Sequence, residues 1–168
     1  MEAAGRLGIP SLVMGDVIRR EAVKQGLEPS PKNTGRLMLE YRERYGMDIF
    51  ARLIAEEVEG VEGDTVLIDG VRNPEELEYF RGKGWDVIVV AVMASPKTRY
   101  ERLRARGRID DVRSYEEFLA RDEREMGVGM DRVILYADYY LVNDRKDRSE
   151  AVEEAVKILE MVLEERRG

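Results

Sequence analysis

The chain has 168 residues, enough for one domain with a core of its own, and carries a net charge of −7. It holds no cysteine and no histidine. The first absence excludes disulfides and thiolate metal sites, and the second excludes Ser–His and Cys–His nucleophile systems and His-ligated zinc.

Chemistry is left to Asp, Glu, Lys, Arg and oxygen-seeking metals such as magnesium. A pI near 4.9 argues against non-specific nucleic-acid binding, which needs a basic face. No run of apolar residues is long enough for a membrane-spanning helix, and Met1 to Arg6 lack the apolar centre of a signal peptide. Charged residues make up 38% of the chain and Gln25 is its one glutamine, a bias found in hyperthermophile proteins that suits a cytoplasmic setting.

In chain order, the first predicted strand is Ser11–Met14, short and apolar. Asp16 follows it as a candidate cap for the next helix. Ser30-Pro31 opens a helix over Pro31–Tyr45. A second strand is expected over Thr65–Ile68. Asn73-Pro74-Glu75-Glu76 then carries the start signals of another helix: a cap residue, a proline at the first position and a glutamate at the third. Gly82-Lys83-Gly84 ends that helix rather than opening one, so it reads as a C-terminal cap and not as a phosphate loop. A third strand is expected over Asp86–Ala94, and Ser95-Pro96 opens a helix over Pro96–Arg106. Ser114 to Glu117 form a capping box for Tyr115–Met126. The last strand is Tyr139–Val142. Ser149 is the expected cap of a final helix, Glu150–Arg166, with Val152, Val156, Leu159 and Leu163 on one face.

Strands that alternate with helices imply βαβ units and a mostly parallel sheet, hence one α/β domain over residues 1–168. Two segments are long for connections: the helical stretch over 16–62 and the charged stretch over 99–131. Such excursions serve as lids or substrate covers, or as extra packing helices.

Two strand ends draw attention. Val66 to Ile68 run into Asp69-Gly70-Val71-Arg72, and Val13-Met14 run into Gly15-Asp16-Val17-Ile18-Arg19. The C-terminal ends of parallel strands are where α/β proteins place ligands. The acid can hold a metal through water, the glycine lets backbone approach, and the arginine can clamp a phosphate. An ordinary turn at Asp69-Gly70 and a solvated Arg19 are the plainer readings.

From Arg99 to Arg124 arginines crowd together. Arg102 and Arg106 share a helix face, Arg108-Ile109-Asp110-Asp111 follows, and Arg121 and Arg124 lie on the next helix. Either a polyphosphate binds among them, or neighbouring acids such as Asp122 and Glu125 neutralise them as a salt-bridged surface. Asn143, after the last strand, lies in a loop that can meet a nucleobase edge or make a plain turn.

Together these motifs resemble the P-loop nucleoside monophosphate kinases, and most closely an archaeal adenylate-kinase-related family similar to dephospho-CoA kinases. Gly15-Asp16-Val17-Ile18-Arg19 is similar to the family's monophosphate-site motif. Asp69-Gly70-Val71-Arg72 looks like its Asp-Gly-x-x-Arg, one residue shorter. Arg108 to Asp111 with Arg121 resembles the lid end of adenylate kinases, and Ala137 to Asn143 the last-strand motif of dephospho-CoA kinases. The resemblance implies a three-layer fold with a parallel sheet, a monophosphate-binding excursion and a lid. It implies transfer of the ATP γ-phosphoryl group to a nucleotide or nucleotide-like acceptor, with Mg2+. Asp16, Arg19 and Arg72 would hold the acceptor phosphate, and Asp69 the metal. Arg108 and Arg121 would act on the transferring group. Arg102, Arg106 and Asn143 would lie near the donor.

The family also begins with a strand and Gly-x-x-x-x-Gly-Lys-Ser/Thr, and no such motif occurs here. Met1 to Gly8 read as the tail of the helix that follows that loop. Four strands are therefore expected, with the central first strand absent and a gap between the strands that end at Ile68 and Ala94. The expectation is a kinase truncated at its N-terminus; the alternative is a non-catalytic nucleotide-binding or interaction module. The acceptor's identity and homo-oligomer formation are left open.

Overall fold

A computed structural model describes residues 1–107 and 112–166. A short helix, α1 (Glu2–Arg6), leads to β1 (Ser11–Val13), which runs without a loop into α2 (Met14–Lys24). Two further helices follow, α3 (Pro31–Tyr45) and α4 (Ile49–Val58), before β2 (Leu67–Asp69). Then come α5 (Pro74–Gly82), β3 (Val90–Met93), α6 (Pro96–Arg106), α7 (Tyr115–Gly127) and α8 (Met130–Leu135). The chain closes with β4 (Tyr139–Val142) and α9 (Arg148–Glu165).

The fold is α/β with parallel pairing. β1 pairs with β2, Ser11 opposite Leu67, and β3 pairs with β4, Val90 opposite Tyr139. Among the described residues no ladder joins the two pairs, so each of these four strands keeps one edge without a strand partner.

Helix starts follow local chemistry. Ser30, Asn73, Ser95 and Ser114 each accept a backbone N–H from three residues on, and proline occupies the first turn after the first three of them. Two caps depart from expectation. Because α2 starts directly at Met14, Val13 is its cap residue, and Asp16 lies inside the first turn without capping anything. The cap of α9 is Asp147, in a reciprocal box with Glu150, which leaves Ser149 within the helix.

β3 is shorter than expected at its start. Val89 has no strand opposite it; instead its N–H donates to the Asp138 carboxylate at 2.8 Å, and its carbonyl accepts the Asp138 and Tyr139 N–H groups. The ladder begins one residue later. The sequence reading gave no boundaries to α4, although its buried Phe50, Ala51, Ile54 and Ala55 recur at helical spacing.

The main core joins α2, α3, α4 and α5 through Met14, Val17, Ile18, Met38, Phe50, Ile54 and Phe80. Leu12 of β1 and Ile68 of β2 pack against it. The two strand ends are thereby set beside α2 and α3. Among the described residues, no helix is long and apolar enough to cross a membrane.

Candidate functional site

β1 ends into α2, and β2 ends into a turn at Gly70, whose φ of +95° is left-handed backbone that a side chain would strain. These two rims, with α3 and α7, enclose a cavity of about 240 Å³. Its apolar wall includes Ile18, Met38 and Val112. Its polar lining carries five cations, Arg19, Lys32, Arg72, Arg121 and Arg124, against the carboxylates Glu117 and Glu125. That is an excess of positive charge in a protein whose net charge is negative. Arginines drawn from separate elements around one cavity focus an attractive field on an anion.

Arg19, Arg72 and Arg121, expected to meet phosphate, all line this cavity. Arg19 reaches it from α2, and its Nε donates to Asp16 at 3.1 Å. Asp16 thus orients Arg19 and is absent from the cavity lining. Arg72 and Arg121 both engage Glu125: Arg72 through Nη1, and Arg121 through Nε at 3.1 Å. Burial works against the Glu125 charge, but the two guanidinium groups outweigh it and hold the carboxyl below the ordinary glutamate range.

The main chain of Arg72 is held as firmly as its side chain. Its N–H donates to Glu76 Oε2 at 2.8 Å, and Glu76 Oε1 accepts from Arg42 of α3 at 2.7 Å. Asn73 caps α5 through the Glu76 N–H and donates from Nδ2 to the Met47 carbonyl. Glu76, Asn73 and Arg42 are all buried. Two walls of the cavity, α3 and the loop after β2, are therefore joined by a buried polar network.

The remaining candidates lie elsewhere. Asp69 is exposed at the end of β2 and is not part of the cavity lining. Arg102 donates to the carbonyls of Asn143 at 2.7 Å and Lys146 at 3.3 Å, so it fastens the loop after β4. Asn143 lies beside it with a shielded Oδ1 that has no partner among the described residues. Arg106 is also outside the cavity lining. Arg108 lies outside the described residues. In the arginine-rich segment, neighbouring acids neutralise arginines as the salt-bridge reading expects. Arg99 pairs with Asp122 through two bonds of 2.6 and 2.7 Å, a salt bridge between α6 and α7, whereas Arg121 faces the cavity.

Reading the sequence did not pick out Lys32 or Gly35, and it took Glu76 and Glu117 only as helix-start residues. Arg124 was noted as part of a crowd but given no role. One signal was available for Gly35, because glycine inside a helix costs stability and asks for a packing reason.

Comparison with known proteins adds a family. A family profile described as an AAA domain matches residues 1–118. A UPF0200 protein of Methanopyrus kandleri is 46% identical over 97% of this chain and 83% of its own length. One from Hyperthermus butylicus is 45% identical over 84% of this chain and 75% of its own. A third, from Thermococcus onnurineus, is 40% identical over 89% and 84%.

Proposed function

The chain belongs to the UPF0200 family, a P-loop-kinase-related family of archaeal proteins with an AAA domain, and from that premise we propose that it is a nucleotide kinase whose arginine-lined cavity takes the phosphate of the acceptor. One observation carries this reading: Arg19, Arg72 and Arg121, from three separate segments, share one cavity. Guanidinium groups bind phosphate oxygens through paired N–H donors, and in phosphoryl transfer most of the catalysis is positioning and charge neutralisation. A cavity of 240 Å³ is small beside the roughly 300–1,000 Å³ typical of whole-ligand sites, so it suits the phosphate end of an acceptor.

In the reaction, an acceptor phosphate oxygen bonds to the γ-phosphorus of ATP while the β–γ bridging bond breaks, releasing ADP. Arg19 and Arg72 hold the acceptor phosphate. Arg121 reaches the transferring group, and the family motif assigns Arg108 to the same group. Asp16 orients Arg19. Asp69 fits a magnesium ion held through water, since its carboxylate is exposed at a strand end and carries no cation among the described residues; the metal would neutralise donor phosphate charge. The unpartnered Asn143 Oδ1 would accept from the donor base, with Arg102 holding its loop and Arg106 nearby.

Isothermal titration tests the acceptor site. AMP and CMP are titrated against adenosine and cytidine. At least one phosphorylated member should bind, and its dephosphorylated form should not. Equal binding of both, or of neither, defeats the reading. A radiolabelled transfer assay with ATP and Mg2+ then tests the reaction. Tight nucleotide binding without transfer to any acceptor favours the non-catalytic module.

A further inference from the structure

The cavity's cations differ in how they are neutralised. Arg19 has Asp16, and Arg72 and Arg121 share Glu125. Arg124, one helical turn beyond Arg121 on α7, has no ion pair and no side-chain hydrogen bond among the described residues, yet it lines the same cavity. A guanidinium left without a counter-charge in a partly buried cavity is held at a cost unless an anion arrives.

Its position is made possible by a single residue on the facing helix. Gly35 is buried in the middle of α3, where glycine weakens a helix. A methyl group on Gly35 would stand 3.0 Å from Arg124 Cζ and would overlap Nη1 outright. Any other residue there would push the guanidinium off its seat. Gly35 and Arg124 therefore form one device, a bare patch of helix backbone and the cation that lies on it.

We propose that Arg124, seated on Gly35, is the anchoring contact for the acceptor's phosphate monoester. The inference rests on the acceptor-site reading and deepens it. Arg72 and Arg121, held by Glu125, supply a preset frame. Arg124 supplies the charge that the ligand itself satisfies.

The test is titration of inorganic phosphate and of AMP into the wild-type chain, Arg124→Met, Arg124→Lys, Gly35→Ala and the Gly35→Ala/Arg124→Met double variant, with circular dichroism confirming the fold of each. Arg124→Met should weaken binding by about tenfold or more, the loss expected for a charge-assisted contact. Arg124→Lys should recover part of it. Gly35→Ala should weaken binding in the wild-type background and have no further effect beside Arg124→Met, because the methyl acts only by displacing the guanidinium. Binding by Arg124→Met within about twofold of wild type overturns the Arg124 assignment alone. Equal Gly35→Ala losses in both backgrounds overturn the coupling. A wild-type chain that binds neither probe overturns the acceptor reading, and this inference with it.

Discussion

Arg42 and Glu76 form an ion pair closed off from solvent: Nη2 lies 2.7 Å from Oε1, and the two side chains are 3% and 0% exposed. The pair links α3 to the start of α5, and the second Glu76 oxygen fixes the Arg72 N–H. Among the described residues Arg42 Nε and Nη1 have no acceptor, and the guanidinium lies 5.3 Å from the Phe50 ring centre. The arginine therefore depends on Glu76 for its charge balance. Glu76→Gln should leave a buried cation unpaired and cost about 3–5 kcal/mol. In a chain of this size that lowers Tm by roughly 6–20 °C. A thermal melt checks this, and a shift below about 2 °C would mean that the pair contributes little.

Glu125 should make stability depend on pH. Its carboxyl is held below the ordinary value of 4.5 by Arg72 and Arg121, against burial. A group whose pKa is depressed on folding stabilises the fold above its unfolded value and loses that contribution as pH falls through the folded value. The loss should thus begin near pH 4.5 and continue below it. Glu125→Gln lacks the charge at every pH. Urea midpoints should place wild type above Glu125→Gln at pH 7, by about 1–3 kcal/mol, and the gap should narrow as pH falls below 4.5. A gap that stays constant with pH would show that the charge of Glu125 is not what matters.

What could be read in the sequence was local. The bounds of α3 and α6 follow from Ser-Pro at their starts, since a serine cap and a fixed proline φ act within one turn. Arg19 and Arg72 could be placed because they follow strands whose apolar runs are short and unambiguous. The Arg124–Gly35 seat and the Arg42–Glu76 pair join residues far apart in the chain. They depend on how α7 and α5 lie against α3, and a helical period states which face is apolar but not which helix it meets. Asp16 shows a finer limit. Its role turned on whether α2 starts at Met14 or three residues later at Val17, and helix ends are the least determinate part of any element.

The start of α9 separates two candidate caps. Asp147 accepts the Glu150 N–H at 2.9 Å, and Glu150 returns a bond to the Asp147 N–H at 3.0 Å. Ser149 makes only a long contact to Glu153, at 3.4 Å on the surface. Asp147→Ala should therefore destabilise by about 1 kcal/mol, and Ser149→Ala by less than about 0.5 kcal/mol. Denaturant midpoints of the two variants decide it. The reverse order would return the cap to Ser149.

Gly15 offers a case where stability and binding should move in opposite directions. It occupies the first turn of α2 with ordinary helical backbone, so alanine there removes the entropic disadvantage of glycine, up to about 1 kcal/mol. A Cβ at this position would come within 3.3 Å of Arg19 Nη1 and Nη2, closer than such contacts normally allow. The atoms it meets are the far end of a flexible side chain, which can give way without disturbing the core. The guanidinium must then shift by a few tenths of an ångström from its present seat on Asp16 at the cavity edge. Gly15→Ala should leave Tm unchanged or raise it, while phosphate affinity falls several-fold, roughly the value of one displaced charge-assisted bond. Paired melting and titration measurements on the same preparation check both halves. A fall in Tm would show that α2 cannot absorb the methyl group. Unchanged affinity would show that Arg19 reaches phosphate from elsewhere, or not at all.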